Sequence, residues 1–195
     1  MSGLLWKLNR LRAMNVREIA HRVVTQSALR AEGFAVARGW SPAPPEAVMP
    51  RLALFGDALT WLPAWQELYR LEHQALEDAL TGKLGFFGHA SMDVGMPVNW
   101  HRDPLTGIEA PLVFGKRLNY RDDRVVGNVK VLWELGRHQH LIPLAAAYAV
   151  TGEARYREAV VAQIEGWINA NPFGLGIHWC SALELALRLD RKSVV

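Results

Sequence analysis

Short connections between helical segments are the feature that most limits how this chain can fold. Apolar residues recur with the helical period over residues 129–150 and again over residues 154–169, and a third helix begins near Trp179 or Ser181. A Thr-Gly dipeptide ends the first segment and an Asn-Pro dipeptide follows the second. Because so few residues connect helices of this length, neighbouring helices must run antiparallel. The sequence therefore predicts helical hairpins in this part of the chain.

A further helical region is expected at the N-terminus, followed by a segment rich in helix breakers. Residues 4–31 are interpreted as one or two basic amphipathic helices. Asn15 has the right side chain for an N-cap, and Glu18 has the spacing that closes a capping box. Six Gly and Pro residues between Gly33 and Pro50 cannot all lie in helix interiors, so this segment is interpreted as a linker or an ordered surface loop.

The middle of the chain combines one more helical pattern with a long irregular segment. Residues 57–81 show the helical period and end at a Thr-Gly dipeptide. Residues 85–128 are rich in Gly, Pro, Asp and Asn, and a loop of that length is usually functional. No convincing strand is evident, so the expected fold class is all-α. Successive helical hairpins fit either a solenoid or an (α/α) toroid, and periodicity alone does not separate the two.

Composition narrows the classes of partner. Of the 22 basic residues, 17 are Arg, which is the better bidentate partner for carboxylate and sulfate, although a GC-rich coding sequence would produce the same bias. No run of basic residues indicates a nucleic-acid partner, and no stretch of 18 apolar residues indicates a membrane span. Cys180 is the single cysteine of the sequence, which excludes an internal disulfide.

One predicted helix carries an unusual mixture of indole, carboxylate, guanidinium and imidazole groups. Glu134, Arg137 and His138 have the spacing that places them on one helical face, beside Trp133. In a functional interpretation, Glu134 orients Arg137 or His138 toward a sugar carboxylate. In the alternative, Glu134 and Arg137 form a surface ion pair beside a core tryptophan. Both interpretations remain open, whereas the spacing of His138 and His140 does not suit a metal site.

A second mixed segment lies where the third helix begins. His178 and Trp179 are interpreted as lining a cleft, with Glu184 and Arg188, spaced i, i+4, bracing it. The alternative is a structural role, because Ser181 and Glu184 fit a capping box and Glu184 with Arg188 would form a salt bridge. The cleft is the favoured interpretation for His178 and Trp179, and capping explains Ser181 and part of the role of Glu184.

Asn99, Trp100 and His101 form a third candidate group, in a turn-rich segment. They are interpreted as a lip over a binding groove, and the equally open alternative is that Trp100 fills a gap between helices. The sequence has no Walker loop, dinucleotide fingerprint, zinc-ligand spacing or nucleophile elbow. We therefore expect neither a cofactor nor a metal ion.

Five motifs follow one another along the chain: Asn-Trp-His, Trp-Glu-Leu-x-Arg-His-Gln-His, Ala-x-Tyr-x-x-Thr-Gly, Trp-Ile-x-x-Asn-Pro and Gly-Ile-x-Trp-x-Ser-x-Leu-Glu-x-Ala-Leu-Arg. Their order resembles the N-terminal region of heparinase II/III-type polysaccharide lyases. The resemblance implies an (α/α) toroid followed by a β-sandwich domain, with the sugar cleft between them. It also implies β-elimination on an acidic, uronate-containing polysaccharide such as a glycosaminoglycan, with or without sulfate groups, in the periplasm.

The resemblance places the catalytic residues outside this sequence. Related enzymes take an Asn, a Tyr and a His from downstream segments, so no catalytic residue is assigned here and the fragment alone is expected to be inactive. Relatives often have Asn at the position of His178, which leaves the role of this residue open. The N-terminal residues contain no continuous apolar leader segment, so the localisation is open, as is the oligomeric state.

Residues 190–195 interrupt the apolar periodicity without a helix stop signal. They back-translate into the start of a common sequencing adapter, so we expect them to be translated adapter. The expected organisation is then amphipathic helices and a Pro-rich linker over residues 1–50 and the N-terminal part of a toroid over residues 51–189, with the β-sandwich domain missing.

Two other functions remain open. The first is a non-catalytic helical module that binds carbohydrate or protein in capsule or exopolysaccharide assembly. The second is a glycoside hydrolase with Glu134 and Glu184 as its paired carboxylates. Each of these glutamates has a neighbouring Arg that explains it more simply.

Overall fold

The computed structural model describes residues 14–43, 62–71 and 73–192. The chain divides into two compact units, Met1–Ser41 and Pro42–Val195. The elements are α1 (Val16–Ala37), α2 (Leu62–Leu71), α3 (His73–Leu80), β1 (Lys83–Phe86), β2 (His89–Asp93), α4 (Asp123–Val126), α5 (Val129–Gly136), α6 (Leu141–Thr151), α7 (Ala154–Ala170) and α8 (Ala182–Lys192), with single 3₁₀ turns at Gly115–Arg117 and Ile177–Trp179. Within the described ranges, no helix has the length and apolar character needed to cross a membrane.

Helix α1 begins at the predicted cap in the first unit. The side chain of Asn15 accepts a hydrogen bond from the backbone N–H of Glu18 at 2.8 Å, which confirms the N-cap. The helix continues through Gly33 to Ala37, so the prediction of a break at Gly33 was wrong. One glycine costs a helix interior only about 1 kcal/mol, which the 21 other residues of the helix outweigh. The predicted linker beyond residue 43 lies outside the described residues.

Helices dominate the second unit, as predicted. Helices α6 and α7 form the expected hairpin, in which Gly152 ends α6 in the left-handed conformation with φ 71° and donates its N–H to the carbonyl of Tyr148. Helix α2 packs against the same α6. The helix predicted over residues 57–81 is present as α2 and α3, while residues 57–61 and residue 72 lie outside the described residues.

A β-hairpin corrects the expectation that the chain contains no strand. Strands β1 and β2 pair antiparallel, and the partners Leu84 and Met92 are both buried. The turn consists of Phe87 and Gly88, which have positive φ angles of 52° and 80°. Hairpin turns of this kind usually carry Asn-Gly or Asp-Gly. Because a Phe-Gly turn lacks that signal and the strands are short, the sequence pattern did not reveal them.

A break divides the helix that was predicted over residues 129–150. Helix α5 ends at Gly136, and His138 adopts a φ of 59° before α6 begins. A non-glycine residue in the left-handed region interrupts the helical hydrogen-bond pattern. The predicted common face of Glu134, Arg137 and His138 was therefore wrong for His138, because its ring leaves the helix in another direction.

The core of the second unit consists of two apolar clusters. The larger one unites α3, β1, α5, α6 and α7 through buried residues, namely Leu76, Ala79, Leu84, Val94, Trp100, Leu135, Leu141, Leu144, Ala147, Tyr156, Val160 and Trp167. The smaller one lies beside α5 and contains Ala110, Leu118, Val126, Leu132 and Ile177. Trp100 belongs to the larger cluster with only 2% of its surface exposed, so it fills a gap in the core.

Candidate functional site

Aromatic and imidazole rings from separate parts of the chain meet in the interior of the second unit. Trp100 approaches His138 edge-on with ring centroids 5.4 Å apart, and His138 approaches Trp167 in the same way at 5.3 Å. His178 lies 5.9 Å from Trp167 and 5.9 Å from His101. The three predicted groups thus converge, together with Trp167 of α7. Trp167 was not predicted as a site residue, although it stands in one of the family-like motifs.

His178 is fully buried at the centre of this cluster. Its Nε2 lies 2.8 Å from the carbonyl oxygen of Trp100. Since a carbonyl can only accept, Nε2 carries the proton of the neutral ring. Its Nδ1 has no hydrogen-bond partner in the described part of the chain, and it faces the backbone of Gly136. Burial lowers the pKa of His178 to about 3, so the ring is neutral at pH 7.

The half-buried His140 forms a second imidazole contact, which the sequence did not assign. Its Nε2 lies 2.8 Å from the side-chain carbonyl oxygen of Gln163 on α7. Burial lowers the pKa of His140 to about 4, and the bond to Gln163 opposes that shift only in part. At neutral pH, neither His140 nor His178 contributes positive charge.

We expect the free energy of unfolding to fall as the pH is lowered below about 6.5. In the unfolded state, His140 and His178 take up protons near their ordinary pKa of 6.5, whereas in the folded state their pKa values are about 4 and about 3. The unfolded state therefore binds more protons in this window. Each imidazole then contributes a slope of up to about 1.4 kcal/mol per pH unit. Urea unfolding at a series of pH values measures the slope.

The matched control for this prediction is His178→Gln. The amide N–H of Gln can donate to the carbonyl of Trp100 as Nε2 does, but Gln does not titrate. We expect its slope of stability against pH to be shallower by the contribution of one imidazole. A slope equal to that of the unsubstituted chain would show that His178 is not responsible.

An ion-pair network links α5 to α8 beside the ring cluster. The Nε and Nη2 atoms of Arg137 donate to the two carboxylate oxygens of Glu184 at 2.9 and 2.6 Å, and its Nη1 donates to Glu134 at 2.6 Å. Because Glu184 is only 1% exposed, its carboxylate has lost its contacts with water, and the two hydrogen bonds from Arg137 replace them. The hydrogen bond to Glu184 raises the pKa of Arg137.

Arg188 does not form the salt bridge with Glu184 that the structural alternative included. Its Nη2 donates to the carbonyl oxygen of His178, and its guanidinium carbon lies 5.4 Å from the ring centre of Trp167. Burial lowers the pKa of Arg188. The alternative was wrong about the partner of Glu184, since Arg137, distant in sequence, donates to both of its carboxylate oxygens. Half of the expected capping box is present, since Ser181 Oγ accepts from the N–H of Glu184 at 3.5 Å, while the Glu184 carboxylate accepts from Arg137.

The remaining predicted residues hold loops and helices together at the edge of the cluster. Asn99 accepts hydrogen bonds from the N–H groups of His101 and Arg102 at 3.1 and 3.2 Å. The indole N–H of Trp133 donates to the backbone carbonyl of Ile177 at 3.1 Å. The indole N–H of Trp179 donates to the backbone carbonyl of Asn171 at 3.3 Å.

The predicted site residues fall into two groups by exposure. Four are buried: Trp100, His178, Glu184 and Arg188. The other seven are half-buried: Asn99, His101, Trp133, Glu134, Arg137, His138 and Trp179. Whether any of them contacts a sugar stays a prediction.

Sequence reasoning missed Asp103, which organises the neighbouring loop. It is fully buried, and its carboxylate accepts hydrogen bonds from the hydroxyl of Thr106 at 2.5 Å and from the N–H groups of Leu105 and Asn128 at 3.0 and 2.8 Å. The Asp-Pro-x-Thr-Gly string indicated a turn, but not that its carboxylate would anchor the start of α5.

A family model described as Heparinase II/III N-terminus matches residues 64–193, well over half of the chain. The chain belongs to this family. The matched range includes every predicted site residue, and it confirms the resemblance drawn from the motifs. No curated protein and no solved structure matches the chain. In the described part of this heparinase II/III-type region, no group of three or more His, Cys, Asp or Glu side chains could hold a metal ion.

Proposed function

We propose that this chain is the N-terminal helical part of a polysaccharide lyase that cleaves an acidic, uronate-containing polysaccharide by β-elimination. The match to the heparinase II/III N-terminus carries the proposal. The meeting of three family-like segments at one ring cluster supports it, because residues 100, 138 and 178 are far apart in sequence. The proposal includes a toroid of helical hairpins, of which α6 and α7 form one, and a sugar cleft beside the cluster.

The half-buried residues are the proposed sugar contacts. Trp133 and Trp179 have flat rings that suit the apolar face of a sugar. Arg137 uses three of its five N–H groups on Glu134 and Glu184, which leaves two for a ligand carboxylate or sulfate. Buried Glu184 is then a positioning residue, since its two hydrogen bonds hold the guanidinium plane.

The chemical step requires groups that we assign to downstream segments. β-Elimination needs the uronate carboxylate charge offset, a base that removes the C5 proton and an acid that protonates the leaving oxygen. By resemblance to the family, we propose an Asn, a Tyr and a His of downstream segments for these roles. His178 is not proposed as the base, because its Nε2 is bonded to a carbonyl and its ring is fully buried.

An elimination assay tests the proposal. The reading frame would first be established with long sequencing reads across the locus. The protein that this frame encodes would then be expressed and incubated with heparin, hyaluronan and polygalacturonate. Elimination creates a C4–C5 double bond, which absorbs ultraviolet light, for every new reducing end. We expect both products to rise together on at least one polymer. New reducing ends without the double bond would show hydrolysis and contradict the proposal.

The second candidate is a non-catalytic helical module that binds carbohydrate. The ion pairing favours it over a glycoside hydrolase, because Glu134 and Glu184 both bond to the same guanidinium. A hydrolase needs one carboxyl group that stays protonated as a general acid, and a neighbouring guanidinium favours the ionised form. Saccharide binding without any bond cleavage in the assay above would support this candidate.

A further inference from the structure

An open groove of about 820 Å³ lies along α5. The loop that contains Thr106 and Ile108 forms one wall, and the first turn of α5 forms another. Tyr120, Arg121, Lys130 and Trp133 line it, together with residues of α4. Of these residues, only Trp133 was a predicted site residue, so the groove shares Trp133 with the predicted site and otherwise lies outside it.

The groove carries positive charge that is not neutralised by ion pairs. Arg121 and Lys130 are exposed, and in the described part of the chain neither forms an ion pair. The third cation, Arg124, is paired with Asp122 at 3.0 Å, and Asp123 also lines the groove. The net charge of these five side chains, three cationic and two anionic, is one positive charge. The two unpaired cations, Arg121 and Lys130, are free to bind an anion.

Two aromatic rings lie between these charges. The rings of Tyr120 and Trp133 are 5.4 Å apart and inclined at 49°, and both are half-buried. The guanidinium carbon of Arg121 lies 5.6 Å from the ring centre of Tyr120, so a cation and an aromatic face are presented together. An acidic sugar has matching chemistry, with an apolar ring face for stacking and a carboxylate or sulfate for the cations.

The ion-pair network around Arg137 differs from the groove in its net charge. Glu134, Arg137, Glu184 and Arg188 sum to zero, and three N–H groups of Arg137 are already bonded to carboxylates. Both charged side chains of α8 in this network are buried. Excess positive charge is therefore available in the groove and absent from the network.

We propose that the groove lined by Tyr120, Arg121, Lys130 and Trp133 binds an anionic segment of a polysaccharide chain. Arg121 and Lys130 bind the carboxylate or sulfate groups, and the two rings bind a sugar face. The choice of a polysaccharide over other polyanions rests on the proposed function. The groove would extend the binding surface of the chain beyond the residues of the predicted site.

The test is the affinity of the full 195-residue chain for a fluorescent heparin hexasaccharide, measured by anisotropy. Removing both unpaired cations in Arg121→Gln/Lys130→Gln should weaken binding about tenfold, because each exposed charge contact contributes up to about 1 kcal/mol. The matched control is Lys83→Gln/Arg157→Gln, which removes two exposed cations outside the groove and should bind as the unsubstituted chain does. Affinity of the unsubstituted chain should also fall with added salt, and more steeply than that of the groove variant.

Three outcomes would overturn the groove: no hexasaccharide binding by the unsubstituted chain, equal affinities of the groove variant and the control, or equal binding of a neutral dextran hexasaccharide. Tighter binding of a single-stranded oligonucleotide through the same two residues would overturn the assignment to a saccharide. The elimination assay judges the proposed lyase independently. If the groove substitutions changed neither cleavage nor the affinity for the polysaccharide, the groove proposal would fail and the proposed lyase function would stand.

Discussion

Replacing Arg137 with methionine should lower the free energy of unfolding by about 3 to 5 kcal/mol. The substitution removes the partner of Glu184, which is 1% exposed, and of Glu134, which is 15% exposed. A carboxylate that is left buried without its ion pair loses its hydrogen bonds and does not regain water. Chemical unfolding, followed by the fluorescence of the buried tryptophans, measures the change.

Two further variants show whether burial is the cause. Arg155→Met removes an arginine that is also paired with two carboxylates, those of Glu77 and Glu153, but its side chain is 44% exposed. We expect a loss below about 1 kcal/mol there. The double variant Arg137→Met/Glu184→Leu removes both members of this ion pair and should recover most of the loss. If Arg137→Met were no more harmful than Arg155→Met, the network would not stabilise the fold.

Gly136→Ala should be the second most damaging substitution, with a net loss of about 2 to 3 kcal/mol. A Cβ atom at this position would lie 2.4 Å from Nδ1 and 2.5 Å from Cε1 of His178. The imidazole cannot move aside easily, because it is fully buried and bonded to the carbonyl of Trp100. Alanine favours a helix over glycine by up to about 1 kcal/mol, which offsets only part of the overpacking. Thermal unfolding gives the difference.

Gly166→Ala is the matched control for this substitution. Gly166 lies inside α7, and a Cβ there would meet its nearest side-chain atom, Nε1 of Trp100, at an ordinary contact distance of 3.7 Å. We expect this variant to gain about 0.5 to 1 kcal/mol from helix propensity. A Gly136→Ala chain as stable as the Gly166→Ala chain would show that the contact with His178 is not restrictive.

Local signals predicted much of the helical architecture. The cap at Asn15, the stop at Gly152 and the cap at Ser181 depend on side chains a few residues away, and each is present as predicted. The exceptions were also local but lacked a signal. A Phe-Gly turn joins the strands, and a histidine, His138, adopts the left-handed conformation that glycine usually occupies.

The sequence predicted which residues belong to the candidate site better than it predicted how they are arranged. The three groups that meet around the ring cluster were identified from their mixture of charged, imidazole and aromatic side chains. Their pairing was not, because spacing along a helix favoured Glu184 with Arg188. The groove beside α5 was missed altogether, since Arg121 and Lys130 are single cations in unremarkable sequence and become neighbours only through the fold.

The sequence by itself determined the helical segments, most of their ends and the membership of the heparinase II/III family. These depend on short-range periodicity, on capping side chains and on ordered motifs. Tertiary structure alone decided that Glu184 bonds to Arg137, that His178 is a buried neutral ring and that Trp100 fills the core. The physical reason is that burial and long-range pairing arise only when segments far apart in sequence exclude water together.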